Sequence, residues 1–422
     1  MNEKYLAINA GSSSLKFSLF EVVVVDGTPK EIELVNGIVE KIGDIDSSYT
    51  LKFNGKKVKQ QKYVKKHSEA VEVMLKALLE NHFINSYSDI SGVGHRVLHG
   101  GELYSDSVLI DDKVIQDIKD LTRFGPLHHP GQLAGIIGTQ EVLPNVPQVA
   151  VFDTAYHQTM PKENYLYAIP YELYKELGIR KYGFHGISYK YIAGRMCELL
   201  GKDEVNLVAC HIGSGASVCC IKENKSYDTS MGLTPLDGLV MGTRCGSIDV
   251  SIVDCMCKEH GLTLEQAIEI LNTKSGLLGL CGKNDWRDVL ALAQAGDEKA
   301  ILAVNKLESS IVKYIGHYIM ELNGKVDGIV FTAGIGENSA ELRSGVINRI
   351  SGAIETQLDE ELNKRTAGFR DRHEGIISKE GSRYNVYTVP TNEELMIVRD
   401  TYRICKGKED EKHTLLKASS NK

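Results

Sequence analysis

Short apolar runs broken by glycine- and serine-rich turns set the rhythm of this chain. Residues 5–8 read as a buried strand, and Phe17, Leu19 and Phe20 resume the apolar character after the turn "NAGSSSLK". The pattern recurs. "LAINAGSSSLKFSLF" from Leu6 and "LVACHIGSGASVCCI" from Leu207 both give strand, turn and strand. They lie about half a chain apart, which predicts two lobes of related design. A third strand and turn, "GIVFTAGIGENSAELR" from Gly328, leads into a helix around residues 339–343. Helical periods fill the intervals. Val71, Leu75, Leu78 and Leu79 share one face of a segment opening at Ser68, a candidate N-cap. The segment from Ser188 closes at Gly201, a candidate C-cap. A long amphipathic helix runs from Asp297 to Gly324. Strands interleaved with helices predict an α/β protein.

Composition narrows the function. At 422 residues the chain exceeds one typical core and predicts more than one domain. Its net charge of −7 argues against nucleic-acid or anionic-membrane binding. No apolar run is long enough to span a bilayer, and "MNEKYLAIN" lacks the apolar core of a signal peptide. Nine cysteines are scattered without a C-x-x-C pair, which fits a reducing cytoplasm and argues against a zinc ribbon. The tail from Lys406, "KGKEDEKHTLLKASSNK", is charged and aperiodic and reads as disordered.

The first turn poses the chemical question. Its backbone N–H groups and hydroxyls can donate to phosphate oxygens, and Lys16 adds a positive charge. A plain polar hairpin with a surface lysine would look the same. A Walker A loop is absent, and "GLCGKND" near Lys283 lacks its spacing. Other segments carry further chemistry. "GHRVLHGGE" places Arg96 between His95 and His99, and "PLHHPG" holds His128 and His129. "VFDTAYH" ends an apolar strand on Asp153, "YGFHGIS" carries His185, and "MGTRCGSID" sets Arg244 among small residues. "PTNEEL" places Glu393 and Glu394 at a helix start. His95 and His99 have metal-ligand spacing if helical, but the Glu of H-E-x-x-H is missing, so zinc is not expected.

These motifs, taken in order with "DTSMGLTPLDGL" and "FTAGIGENS", resemble the acetate and propionate kinase family. The resemblance covers the chain except for the tail and residues 27–66. It implies the two-lobed, duplicated α/β fold shared by sugar kinases, actin and heat-shock chaperones, with mixed sheets flanked by helices. Residues 1–152, completed by about 392–405, would form the N-terminal lobe, and 153–391 the nucleotide-binding lobe. The implied reaction moves the γ-phosphate of ATP reversibly to acetate, giving acetyl phosphate and ADP. Mg²⁺ would assist, with Mn²⁺ as an alternative, and the enzyme would be a cytoplasmic homodimer.

By the same resemblance, Arg96 and Arg244 flank the substrate carboxylate and the transferring group. His185 donates to the equatorial oxygens, and His128 sits nearby. Asn9, Asp153 and Glu393 position the metal. Ser12, Ser14 and Lys16 line the phosphoryl path. His211, Gly213, Ser214 and Gly215, with Gly334, Ile335, Gly336 and Asn338, hold the nucleotide, while Asp285, Trp286 and Arg287 border the adenosine. Leu98, Leu127, Phe184 and Pro235 wall the methyl pocket. Several positions depart from the family's common residues: Leu98 replaces Val, Ser214 replaces Asn, Tyr189 replaces His and His129 replaces Asn. Two other readings stay open at this stage. One is a kinase for a longer acid, or a form using pyrophosphate instead of ATP. The other is a non-catalytic ATP-binding protein, against which the retained Arg96, His185 and Arg244 argue.

Overall fold

The computed structural model describes residues 2–126, 128–365 and 374–407. Leu127 and the tail beyond Gly407 lie outside the described residues. Two compact units emerge. One comprises residues up to Tyr156 together with those from Asn392 onward; the other is His157–Thr391.

The first unit holds an eight-stranded mixed sheet built from β1 (Glu3–Ala10), β2 (Ser14–Val25), β3 (Thr28–Glu40), β4 (Ser48–Phe53), β5 (Lys56–Gln61), β6 (Ile90–Val97), β7 (Val108–Leu109) and β8 (Gln148–Phe152). Its order is β5-β4-β3-β2-β1-β6-β8-β7. The second unit holds six strands: β9 (Leu207–Ile212), β10 (Ala216–Lys222), β11 (Lys225–Thr229), β12 (Gly328–Thr332), β13 (Gly375–Ile376) and β14 (Val386–Thr388), ordered β11-β10-β9-β12-β14-β13.

Six strands of the first sheet repeat the second in order and direction. In each, a three-strand antiparallel meander abuts two parallel strands and ends on a short antiparallel one. The sequence echo between Leu6 and Leu207 is therefore a repeat of topology.

β4 and β5 extend the first sheet in the stretch the sequence motifs left unread. Two tight hairpins make the extension: Asp26 and Gly27 have φ of 50° and 77°, and Asn54 and Gly55 have φ of 47° and 72°. Positive φ at both central residues is what a two-residue hairpin requires, hence Asp-Gly and Asn-Gly.

Helices cover both faces of the first sheet. Val71, Met74, Leu75 and Leu78 of the His67–Glu80 helix pack with Leu6, Ile8, Phe17 and Leu19. That helix starts at His67 after Lys66, so Ser68 is not its cap but a buried first-turn residue. The physical reason is close packing: a Cβ on Gly138 would sit 2.7 Å from Ser68 Cα. On the other face lies the Glu393–Cys405 helix; a Cβ on Gly94 would collide with its Ile397 and Thr401. His95 lies in β6 and His99 follows it, so the two are not on a helix. Gly201 (φ 62°) ends the Gly186–Leu200 helix, and Ser339 caps the Ala340–Ile354 helix by accepting from Leu342 N–H. No helix among the described residues is long and apolar enough to cross a membrane.

Three buried imidazoles give the fold an acid sensitivity. His95 bonds Gln148 Oε1 at 2.8 Å, His129 bonds Ile118 O at 3.1 Å, and His157 bonds Ser226 Oγ and Phe184 O. Burial pushes each down to about 4. Between that value and the ordinary ~6.5 the unfolded chain binds more protons, so stability falls as pH drops through this window. Glu321 works in the opposite sense. Burial, and then Asp228, push its carboxyl up to about 7, so the folded state holds its proton first. Denaturant titrations from pH 6.5 to 4 should show a falling stability, up to about 3 kcal/mol per histidine, and a steeper fall in Glu321→Gln. A flat profile in both would contradict this. Asp228, His317 and Glu321 are also the one group among the described residues with metal-ligand spacing, but Lys181 already pairs with Asp228 at 2.5 Å.

Candidate active site

In the first unit, the turn after β1 is held from two sides. Gly11 N–H donates to Ser14 O at 2.8 Å, and His67 Nε2 lies 2.7 Å from Gly11 O. A Cβ on Gly131, near the start of the His129–Val142 helix, would come within 2.5 Å of Gly11 O. Only glycine lets that helix approach so closely. The turn leaves Ser12 and Lys16 exposed and Ser14 half-buried. Asn9 stands directly across the ladder from Lys16, on the same sheet face.

Arg96 and Asp153 meet because of register. Arg96 pairs with Val151, so Asp153, two residues on and just past β8, shares its face. The Arg96 Nη2 and Asp153 Oδ2 atoms form an ion pair. The same face carries Gly94 and hence the Glu393–Cys405 helix, whose first turn holds Glu393 and Glu394 and is capped by Asn392. Burial pushes the Glu393 carboxyl up to about 7; Arg96 opposes that rise and Asp153 adds to it. One guanidinium thus balances two acids. Its Nε is buried and has no hydrogen-bond partner among the described residues. Leu98 is buried, its N–H donating to Gln132 Oε1 at 3.1 Å, with Gly125 beneath its side chain. His128 is half-buried, and its backbone N–H donates to Gly125 O.

In the second unit, the turn at Gly213, Ser214 and Gly215 is closed by Gly213 N–H donating to Gly215 O at 3.1 Å. Above it two groups converge: a Cβ on Gly215 would lie 3.5 Å from Arg244 Nη1 and 3.7 Å from His185 Nε2. Arg244 is braced by donating to Pro235 O at 3.2 Å. His185 adopts a left-handed conformation (φ 59°) at the start of the Gly186–Leu200 helix and stacks on His211, ring centres 4.1 Å apart. His211 Nδ1 bonds Ser188 Oγ at 2.9 Å, which bonds Thr391 Oγ1. Phe184 is buried and Pro235 half-buried.

The segment from Gly334 to Asn338 forms a short helix straight after β12, entered through Ala333 at φ 64°. Arg343, fully buried, donates to the carbonyls of Gly336 and Glu337 at 2.7 and 2.9 Å and to Asn363. Asp285 and Arg287 pair with each other at 2.6 Å, and the Arg287 contacts hold the Asp285 carboxyl down to about 2. Trp286 is only 5% exposed, and its Nε1–H donates to Ser339 Oγ at 2.9 Å. Its ring is therefore an anchor of the loop, not an open platform for a base. The bond still links the sole tryptophan to the cap of the helix that follows Asn338. If residues 285–287 border a nucleotide, as the sequence resemblance implies, saturating MgATP should change its emission, while acetate or pyrophosphate alone should do much less. Calorimetric MgATP binding with unchanged emission would separate Trp286 from the nucleotide.

Some supporting residues were not legible as such. Gln132, Ser217 and Arg343 act through contacts distant in sequence. Arg343 left one trace: it stands one residue after buried Leu342, at a position its helix buries completely.

Comparison with known proteins finds relatives along nearly the whole chain. The acetokinase family model matches residues 4–399. An acetate kinase of Bacillus cytotoxicus is 48% identical over 404 residues, covering 95% of this chain and 98% of that protein. One from a Geobacillus strain is 47% identical over the same shares. Among solved structures, Porphyromonas gingivalis acetate kinase aligns with a TM-score of 0.87 at 40% identity, covering 95% of this chain and 99% of that one. A Francisella tularensis propionate kinase aligns at 0.88 and 38% identity, covering 95% and 100%. With its mixed α/β sheets, its paired arginine and carboxylate and its glycine turn under Arg244 and His185, the chain belongs to the acetokinase family, phosphotransferases whose acceptor is a carboxyl group.

Proposed function

We propose that this chain transfers the γ-phosphoryl group of ATP to acetate, reversibly and in line, as a cytoplasmic homodimer. The observation that carries the reading is the buried Arg96 Nε, a charged donor with no hydrogen-bond partner among the described residues, on a guanidinium whose Nη2 is already paired with Asp153. Such a donor calls for an oxygen ligand such as a carboxylate or phosphoryl group.

Acetate is ionised at neutral pH, so no general base is needed. The barrier lies in bringing one anion onto another, which makes positioning and charge stabilisation the main work. Arg96 holds the acceptor carboxylate, Arg244 neutralises the transferring group, and His185 donates from Nε2. Asp153 fixes the Arg96 fork. Lys16 and the hydroxyls of Ser12 and Ser14 line the phosphoryl path, with His128 nearby. The glycine turn with His211 and Ser214, and residues 334–338 with Asp285 and Arg287, hold the nucleotide. The second unit is thus the nucleotide-binding one. Asn9, Asp153 and Glu393 offer only oxygen donors, too few for a closed cage, which suits Mg²⁺ kept largely hydrated. When bound there, Mg²⁺ would offset phosphate charge; Mn²⁺ has the same oxygen preference.

All nine cysteines are free, which supports a reducing compartment. Large apolar side chains exposed on the second unit, among them Val250 at 80% and Leu264 at 57%, support a second copy as partner.

A hydroxamate assay with ATP, Mg²⁺ and a panel of acids tests the reading, because hydroxylamine traps the acyl phosphate. Acetate should give product. Absence of product with any short acid would overturn the proposal in favour of a nucleotide-binding role. Leu98 predicts the acceptor preference. Its extra methylene relative to Val narrows the pocket, so propionate should be disfavoured by roughly 1–3 kcal/mol in kcat/KM. Equal kcat/KM for the two acids would remove that role for Leu98.

A further inference from the structure

Tyr189, Ser217 and His185 lie in one line of hydrogen bonds. Tyr189 Oη is 2.5 Å from Ser217 Oγ, and Ser217 Oγ is 2.8 Å from His185 Nδ1. Tyr189 and Ser217 are both fully buried. Sequence and register bring them together. Tyr189 sits one helical turn after His185, and Ser217 on β10 pairs directly with His211 on β9, the residue whose ring stacks on His185.

We propose that Tyr189 and Ser217 form a one-way hydrogen-bond relay that fixes the tautomer of His185, keeping its proton on Nε2 as the donor toward the transferring phosphoryl group. The inference rests on the role assigned to His185 above.

The direction we assign follows one proton along the line. Burial raises Tyr189 well above its ordinary value, so the hydroxyl stays protonated. Either oxygen of the 2.5 Å pair with Ser217 Oγ can donate, and the donor we assign is Tyr189. Ser217 then turns its hydrogen to the remaining neighbour, His185 Nδ1. A neutral imidazole with an accepting Nδ1 carries its proton on Nε2. That nitrogen faces the space above Gly215 which Arg244 Nη1 also faces. The stacked His211 restrains the ring plane, and His211 is itself held by Ser188. Tyr189 and Ser217 are positioning residues. Neither hydroxyl is the donor to substrate; both act through His185. The tyrosine, one of this chain's departures from its family's common residue, supplies the first proton of the line.

The test combines nitrogen NMR of histidine-labelled enzyme with kinetics of Tyr189→Phe, Ser217→Ala, the double variant and Ser217→Thr. In the native enzyme His185 should show a protonated Nε2 and an unprotonated Nδ1. Ser217→Ala should give a mixture of tautomers. Each single substitution should lower kcat by roughly tenfold, part of the ~10²–10³ that a positioned donor is worth, with KM for acetate within about twofold. The double variant should be no worse than Ser217→Ala, because Tyr189 acts only through Ser217. Ser217→Thr, which keeps the hydroxyl, should restore most of kcat. Tyr189→Phe removes a single oxygen, so it reports on the relay even if Ser217→Ala fails to fold. A protonated Nδ1 in the native enzyme overturns the relay, as do additive kcat losses in the double variant. If His185→Gln turns over normally while the native tautomer is as expected, the fault lies with the role given to His185, and the relay has no catalytic purpose.

Discussion

Arg96→Ala should fold and lose about 10²–10³ of kcat, the scale for removing a preorganised charge from the transition state. On the reading proposed above the substitution takes away the acceptor's ligand; it also strips Asp153 and Glu393 of their shared counter-charge. Breaking a buried ion pair from one side ordinarily costs about 3–5 kcal/mol. Here Glu393 limits the damage. Its carboxyl already sits at about 7 with Arg96 pulling it down, so without Arg96 it takes up a proton and becomes neutral. Arg96→Lys separates the two effects. The ammonium restores charge and stability, but it lacks the planar fork that reaches two partners at once, and kcat should remain low. Circular dichroism, denaturant titration and steady-state kinetics check this. A near-normal kcat in Arg96→Ala would remove Arg96 from the reaction.

Arg244→Ala should cost a similar ~10²–10³ in kcat. Arg244 is half-buried, donates to the Pro235 carbonyl and leans over Gly215, where His185 Nε2 also converges. On the reading proposed above, its removal takes a fixed positive charge from beside the transferring group, which alanine does not replace. Steady-state kinetics check this, with circular dichroism to show that the variant folds. Normal turnover in Arg244→Ala would contradict the assignment.

Much of the fold was legible because local signals and tertiary packing agree. The hairpins at residues 6–20 and 207–221 were visible as apolar runs around glycine turns, and Gly201 and Ser339 ended and began helices as their chemistry dictates. Ser68 misled because its capping preference lost to contact with Gly138, a residue seventy positions away. The strands β4 and β5 escaped notice, although Asp26-Gly27 and Asn54-Gly55 announce both hairpins. Candidate site residues stood out by type and motif, but the contacts that couple them did not. That one guanidinium balances Asp153 and Glu393 depends on the β6–β8 register and on Gly94 admitting a helix. That Trp286 anchors its loop depends on Ser339, fifty-three positions away. Such couplings are set by packing, which a linear pattern of polar and apolar residues does not encode.

Phosphorus NMR of the enzyme with MgATP and acetate tests the central claim most directly, since it reports the fate of the γ-phosphoryl group itself. The account predicts acetyl phosphate and ADP rising together in equal amounts, and ATP forming when the enzyme is instead given acetyl phosphate and MgADP. ADP rising with inorganic phosphate at the same rate whether or not acetate is present would contradict it.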